Sequence, residues 1–298
     1  MELVAVPLLL AVGALLALQA GANVQLSAAL ANPVSASALQ LTIGAALLIA
    51  VAAVAGGLGA AGELADAELW HLVGGLGSAL YITAGILLFP RLGAVATVGL
   101  FITGQMLASL LLDGTGALGV AREPIDAAAV AGGAAVLIGV VLIVRAQGGA
   151  AHGAHWIALA LIAGAALPVQ GAINARLRAD IGAPITAGAW SFVVAATAMV
   201  VVLALAARRP RARLDQLDRV PWWGWLGGLC GATYVTSVFL LIPEIGVAPT
   251  IALTVAGQQI AAVVVDRLGL LRLPRRAISR ARVVGVLTLL AGVAALTA

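Results

Sequence analysis

Amide side chains occur as matched pairs in two otherwise apolar stretches of the sequence. Gln19 and Asn23 are four residues apart, and Gln170 and Asn174 repeat that spacing 151 positions later. Residues four apart share one face of a helix, so each pair presents two amides side by side. An amide donates and accepts hydrogen bonds but does not ionise. Each pair therefore indicates either binding of a polar solute or hydrogen bonding between neighbouring helices.

Tyrosine and glutamine residues recur at a second common offset. Tyr81 and Tyr234 are 153 residues apart, and so are Gln105 and Gln258. A phenol or an amide within an apolar helix suits a cavity for a small organic molecule, with bonding between helices as the alternative. Trp190 is a further candidate, although tryptophan also favours membrane interfaces. The candidate substrate-binding residues are Gln19, Asn23, Tyr81, Gln105, Gln170, Asn174, Trp190, Tyr234 and Gln258.

The elements that carry these residues are long apolar runs. Of the 298 residues, 63% are hydrophobic and 9% are charged, and the mean hydropathy is +1.14. A soluble domain has about 25% charged residues, whereas a membrane-spanning helix needs about 20 mainly apolar residues. The sequence therefore predicts an all-α polytopic membrane protein. Ten transmembrane helices are predicted at residues 4–28, 34–56, 70–89, 93–112, 125–145, 156–178, 184–206, 222–242, 248–266 and 281–297.

The two halves of the sequence resemble each other along their whole length. Gly13 and Pro33 match Gly164 and Pro184 at the same offset of 151 as the amide pairs. Each half carries five predicted helices, and an odd number makes the second half cross the membrane in the opposite sense. The sequence thus predicts two inverted five-helix repeats. Their expected bounds are residues 1–147 and 156–298, with a linker at 148–155.

The arginine distribution predicts the orientation in the membrane. Arg122, Arg176 and Arg178 fall on the face that holds the N-terminus, and the other 13 of the 16 arginines fall on the opposite face. We name these the arginine-poor face and the arginine-rich face. Because basic loops stay in the cytoplasm, we predict both termini outside the cytoplasmic (inner) membrane of a bacterium. The basic pI of about 10.5 has this topological explanation, so no nucleic-acid partner is expected.

The remaining chemistry of the sequence excludes several functional classes. There is no lysine, so a phosphate-binding loop of the GxxxxGK[ST] type cannot form and ATP hydrolysis is not expected. No grouping of Ser, His, Cys and carboxylate residues indicates an enzyme, a metal site or a cofactor. Asp113, Glu244 and Asp266 lie near predicted helix ends, where we expect solvated carboxylates, with proton binding as the alternative.

One motif resembles a known family. The pattern G-x5-Q-x3-N-x2-L-x6-P spans Gly13–Pro33 and again Gly164–Pro184. It resembles the YdcZ-like branch of the drug/metabolite transporter superfamily, as two fused copies of a five-helix unit. The resemblance implies a ten-helix fold with a central cavity lined by helices 1, 3, 4, 6, 8 and 9. Related small multidrug exporters carry a glutamate in their first helix, where this chain has Gln19 and Gln170, which cannot titrate.

These observations predict a secondary active transporter that moves a small neutral, zwitterionic or weakly polar metabolite by alternating access. Its expected partners are the solute, membrane lipid, and a proton or a counter-substrate, in a monomer or homodimer. The cavity is expected to hold amides, hydroxyls and aromatic rings without a buried charge. A multidrug or organic-cation exporter of the same superfamily is the alternative. A channel or a lipid-handling membrane protein is the alternative from another class.

Overall fold

The computed structural model describes residues 2–122, 124–146, 153–205, 212–245 and 247–296. Within these residues the chain forms ten α-helices and no β-strand, which confirms the predicted all-α class. Most of the predicted linker, residues 148–152, lies outside the described residues. The helices are α1 (Glu2–Leu30), α2 (Pro33–Val54), α3 (Leu76–Leu92), α4 (Ala94–Thr115), α5 (Ala127–Ala146), α6 (Ala154–Ile181), α7 (Pro184–Leu205), α8 (Gly227–Ile245), α9 (Val247–Leu268) and α10 (Arg280–Leu296).

Two helices begin later than the sequence predicts. α3 begins at Leu76 instead of residue 70, and α8 begins at Gly227 instead of residue 222. In both places a short 3-10 helix occupies the intervening chain, at His71–Val73 and Trp222–Trp225. Apolar composition continues across these turns, so hydropathy alone does not separate them from the helix that follows.

Most of the helices are long and apolar enough to cross a bilayer. In the described part of the chain, eight helical spans meet this condition by length and composition. The other two helices, α8 and α10, have 19 and 17 residues. These helices indicate a polytopic membrane protein. Lipid offers no hydrogen-bond partners to backbone N–H and C=O groups, and an α-helix pairs these groups internally.

The helices pack with the symmetry of an inverted repeat. α1 lies along α9, and α6 lies along α4, which are equivalent pairs when the two halves are exchanged. α3 contacts α6 as α8 contacts α1, and the mates α2 and α7 contact each other extensively, as do α5 and α10. Helices of one half therefore pack mainly against helices of the other half. The predicted pair of five-helix repeats is confirmed.

Glycines allow the closest of these approaches. Gly13 of α1 meets the backbone of Thr254 in α9, and its counterpart Gly164 of α6 meets the backbone of Phe101 in α4. A Cβ atom at either glycine would overlap a backbone carbonyl group of the partner helix. Small residues at such crossings let transmembrane helices approach backbone to backbone.

The second helix of each repeat has a strong start signal. Pro33 and Pro184 are the first residues of α2 and α7, where a missing backbone N–H is no loss. Asn32 caps α2, because its Oδ1 accepts hydrogen bonds from the backbone N–H groups of Val34 at 3.0 Å and Ser35 at 3.1 Å.

α4 is enclosed by protein over most of its length. Every residue from 94 to 106 is buried. The residues from 109 onwards are partly exposed, and several of them border a cavity. The core of the bundle therefore gives way to open space towards the arginine-poor face.

Candidate functional site

A cavity of about 440 Å³ lies between α4, α6, α8 and α9. It reaches Val120 in the loop after α4 and the last turns of α4 and α6, so it lies towards the arginine-poor face. An adjoining cavity of about 130 Å³ shares part of the same wall. The polar lining residues of the larger cavity are Gln105, Ser109, Asp113, Asn174, Arg178, Tyr234 and Thr254.

α6 contributes one side of this space. Pro168 lines it and removes a backbone N–H in mid-helix, which leaves a carbonyl group one turn earlier without its usual donor. Gln170, four residues before Asn174, lines the smaller cavity. The spacing predicted from the sequence thus places both amides of this helix beside open space.

Each α6 amide also bonds to a neighbouring helix. Gln170 Oε1 accepts a hydrogen bond from the Ser78 hydroxyl at 2.9 Å, and Asn174 Nδ2 donates to the Ser191 hydroxyl at 3.0 Å. Asn174 Oδ1 is buried and has no hydrogen-bond partner among the described residues. A buried acceptor without a donor is costly, and this oxygen lies against Gly74 in the turn before α3.

Gln105 and Tyr234 face the larger cavity from α4 and α8. Gln105 Nε2 is buried and has no hydrogen-bond partner within the described ranges. Thr254 lines the same wall, and its hydroxyl donates a hydrogen bond to the backbone carbonyl oxygen of Ile251 at 3.0 Å. This part of the wall therefore combines an unpaired amide donor with an aromatic ring and two hydroxyl groups.

The equivalent residues of the other half, Gln258 and Tyr81, are buried and bonded to each other. Gln258 Nε2 donates a hydrogen bond to the Tyr81 hydroxyl at 2.7 Å, and both side chains are buried. The ring of Tyr81 packs on the ring of Phe101 with centroids 4.5 Å apart. Neither member of this pair lines the two cavities described above.

The α1 amide pair is also enclosed. Gln19 and Asn23 are 4% and 1% exposed, and they lie against Gly231 and Gly227 of α8. The sequence predicts that both amide pairs face one central cavity, whereas in this structure only the α6 pair does so. The resemblance implied a cavity lined by six helices, but the two cavities are lined by α4, α6, α7, α8 and α9.

Trp190 is placed outside the cavity wall. Its indole Nε1 donates a hydrogen bond to the backbone carbonyl oxygen of Leu72 at 3.1 Å, and its ring packs with a small apolar cluster near the end of α6. The cavity residues do not include it. Trp190 therefore ties α7 to the turn that precedes α3.

The expected solvated role of Asp266 is wrong. This side chain is 1% exposed, and its carboxylate accepts hydrogen bonds from the backbone N–H groups of Ala94 at 2.8 Å and Val95 at 3.1 Å. Arg282 Nη2 lies 2.6 Å from Asp266 Oδ2 and is equally buried. The carboxylate caps α4, where the positive end of the helix dipole favours it.

Two charged residues border the cavity, in addition to the expected amides, hydroxyls and aromatic rings. Asp113 and Arg178 both line it near its mouth, and both are partly exposed. The other arginines of this face are held elsewhere, because Arg122 donates to Gly114 O at 3.1 Å and Arg176 to Leu118 O at 3.3 Å. Arg178 is the residue that sequence reasoning missed, since its position suggested only topology.

A bundle of ten helices that form two inverted repeats around a mainly apolar cavity with several polar side chains is typical of secondary transporters. The sequence profile of the family described as "Putative inner membrane exporter, YdcZ" matches residues 4–142 and again residues 155–295. The chain belongs to this family, whose description is that of an inner-membrane exporter. The double match confirms the resemblance found in the two copies of the amide motif.

A solved structure has the same fold. The structure, described only as "Crystal structure of protein", shares 20% sequence identity with this chain and superposes with a TM-score of 0.60. The similarity covers 98% of this chain and 96% of that one. At this identity the match shows the fold alone. No curated protein matches the sequence.

Proposed function

We propose that the protein is a secondary active transporter that moves a small neutral or zwitterionic solute across the inner membrane by alternating access. The observation that supports this most is the difference between the two halves of a symmetric bundle. The cavity lined by Tyr234 and Gln105 opens towards the arginine-poor face, while their counterparts Tyr81 and Gln258 are buried and bonded to each other. Inverted repeats that adopt unequal conformations are how such transporters expose one site to one face at a time.

The cavity wall supports a small amphipathic solute. The volume of about 440 Å³ falls within the range of small-molecule sites. Met106, Leu167 and Ile251 supply apolar contacts, while Gln105 and Asn174 supply amides. We assign solute contact in this state to Gln105, Asn174 and Tyr234 in the larger cavity, with Gln170 in the adjoining one.

Arg178 favours a solute with an acid group over a simple cation. Its side chain borders the cavity, so a carboxylate of the solute finds an opposite charge there. An organic cation, the alternative, would meet the guanidinium of Arg178 in the same space. Like charges repel each other, and the partial exposure of Arg178 weakens this repulsion without removing it.

A channel is the alternative from another class. Tyr81, Gln258, Asp266 and Arg282 are buried and bonded in two pairs, and neither described cavity reaches them. An exchange assay separates the two classes, since a transporter catalyses counterflow of labelled solute and a channel does not. A lipid-handling protein would give no saturable solute flux in either assay.

The solute can be found and the site tested together. A thermal-shift screen of the purified protein against a metabolite library gives candidate solutes, and uptake into proteoliposomes measures their transport. We expect Gln170→Ala to raise KM by about 2- to 12-fold, the effect of one lost hydrogen bond, and Arg178→Gln by about tenfold or more. Gln216→Ala in the exposed loop before α8 is the matched control. Unchanged KM in both cavity variants would show that the assignment is wrong.

The α1 amides complete the proposal. Gln19 and Asn23 occupy the positions of Gln170 and Asn174 in the other repeat, so they become the lining amides when the bundle faces the arginine-rich side. We therefore expect Gln19→Ala to impair transport although Gln19 is enclosed in the present state. By the arginine distribution, the arginine-poor face is the outer one and both termini are outside.

A further inference from the structure

Two chemically identical side-chain pairs occupy equivalent positions in the repeats, but only one pair is bonded. Tyr81 and Gln258 are joined by a hydrogen bond of 2.7 Å between α3 and α9. Tyr234 and Gln105, their counterparts on α8 and α4, both line the open cavity. The same glutamine–tyrosine pair therefore occurs in both halves. The hydrogen bond is present between Gln258 and Tyr81 and absent between Gln105 and Tyr234.

The unmade pair leaves hydrogen-bonding capacity unused. Gln105 is 9% exposed, and its Nε2 atom is buried with no hydrogen-bond partner in the described part of the chain. The equivalent Nε2 atom of Gln258 donates to Tyr81. A buried N–H donor without an acceptor is unfavourable, so Gln105 would gain a bond if Tyr234 moved to it.

We propose that the two tyrosine–glutamine pairs alternate, each acting as a latch when its half is closed and as a solute-binding pair when its half is open. In the state seen here, Tyr81–Gln258 is the latch and Tyr234–Gln105 holds the solute. In the opposite state the roles are exchanged. This inference rests on the proposed function, and it adds which residues close each side.

The chemistry of the latch defines the group that the solute must carry. In the closed pair, the glutamine N–H donates to a phenol oxygen. In the open pair, a solute oxygen has to take the place of that acceptor. A carboxylate or a carbonyl group supplies such an oxygen, whereas a purely cationic headgroup has none to offer.

The latch is testable without any solute. In a background with Cys230→Ala, single cysteines at Ser109 and at its repeat counterpart Ala262 report the two sides. Ser109 lines the cavity, whereas Ala262 is fully buried. The probe is a water-soluble maleimide that labels the purified protein in detergent, and the readout is the labelling rate of each cysteine.

The two tyrosines are matched test variants, because each loses one hydroxyl at the same repeat position. Tyr81→Phe removes the existing latch, so labelling at position 262 should rise by about 2- to 12-fold, the effect of one hydrogen bond on a two-state equilibrium. Tyr234→Phe removes the latch of the opposite state, so labelling at position 262 should fall by a similar factor.

Equal labelling at position 262 in both variants, or a change in the same direction, would overturn the alternation. If Tyr81→Phe does not fold, Gln258→Leu removes the same bond from the other side and carries the same expectation. The result is independent of the transport assay. If the labelling changes as expected but the protein shows no saturable uptake, the proposed function is refuted and the latch is not. If uptake is saturable but the labelling does not change as expected, the latch is refuted and the proposed function is not.

Discussion

The buried pair of Asp266 and Arg282 should be one of the strongest single contributions to the stability of the bundle. Both side chains are almost fully enclosed, at 2% and 3% exposure, and the carboxylate also accepts two backbone hydrogen bonds from the start of α4. Asp266→Asn keeps the shape but removes the charge. Arg282 is then left as an uncompensated buried cation, which costs about 3–5 kcal/mol.

The cost can be measured by thermal unfolding in detergent, followed by tryptophan fluorescence. A loss of about 3 kcal/mol corresponds to a fall of about 5 °C in the apparent Tm of a chain of this size. Asp218→Asn, on an exposed position of the loop before α8, is the matched control. It should change the free energy of unfolding by less than about 0.5 kcal/mol.

A double-mutant cycle shows whether the effect comes from the pair. Arg282→Gln should destabilise less than Asp266→Asn, because Asp266 keeps its two backbone donors at a helix N-terminus. The double variant should be more stable than the sum of the single variants predicts, by about 1–3 kcal/mol. Strict additivity, or an Asp266→Asn protein with the Tm of Asp218→Asn, would refute the reasoning.

Three further predictions concern the fold and its orientation. Asn32→Ala should lower the free energy of unfolding by about 0.5–2 kcal/mol through loss of the α2 cap, whereas Ser35→Ala, whose side chain does not serve the cap, should not. Gly164→Ala should destabilise by about 1–3 kcal/mol because α6 and α4 must separate, while Gly59→Ala, with open space around it, is the control. In a cysteine-free background in intact cells, a cysteine at Gly59 should react with an impermeant maleimide and one at Asp215 should not. The reverse pattern would overturn the predicted orientation.

The sequence predicts most of the fold because each membrane-spanning segment has to be a helix of about 20 mainly apolar residues. All ten helices were expected from apolar runs, and the inverted repeat from matched residues such as Gly13 and Gly164. Both glycines lie at helix crossings, so the match reflects a shared packing requirement. The starts of α3 and α8 were misplaced because the chain there is apolar without being α-helical.

The candidate site was predicted less completely, for a physical reason. The sequence identifies Tyr81, Gln105, Tyr234 and Gln258 as two equivalent pairs, but it cannot show which pair is bonded. That difference belongs to the conformational state and not to the residue types. The Asp266–Arg282 pair was missed because a sequence does not show how the loop between α9 and α10 folds back.

The two repeats differ in side-chain contacts that would affect the balance between the two proposed facing states. Arg282 binds Asp266 at the arginine-rich end, and the equivalent position in the other half is Ala129. Ser78 bonds to Gln170, while the equivalent neighbour of Gln19 is Gly231, which has no side chain. Each of these contacts exists only in one half.

A perfectly symmetric duplication would populate the two facing states equally, because they would be related by exchange of identical halves. Here the ion pair with Arg282 closes the arginine-rich end and has no equivalent that could close the arginine-poor end in the same way. Under the proposed alternating-access mechanism, we therefore expect the state seen in the structure to be favoured when no solute is bound. Arg282→Ala should shift the labelling of a cysteine at Ala262 in the same direction as Tyr81→Phe, since both changes weaken closure of the same end. If Arg282→Ala lowered the Tm without changing that labelling, the arginine would stabilise the fold without setting the balance between the states.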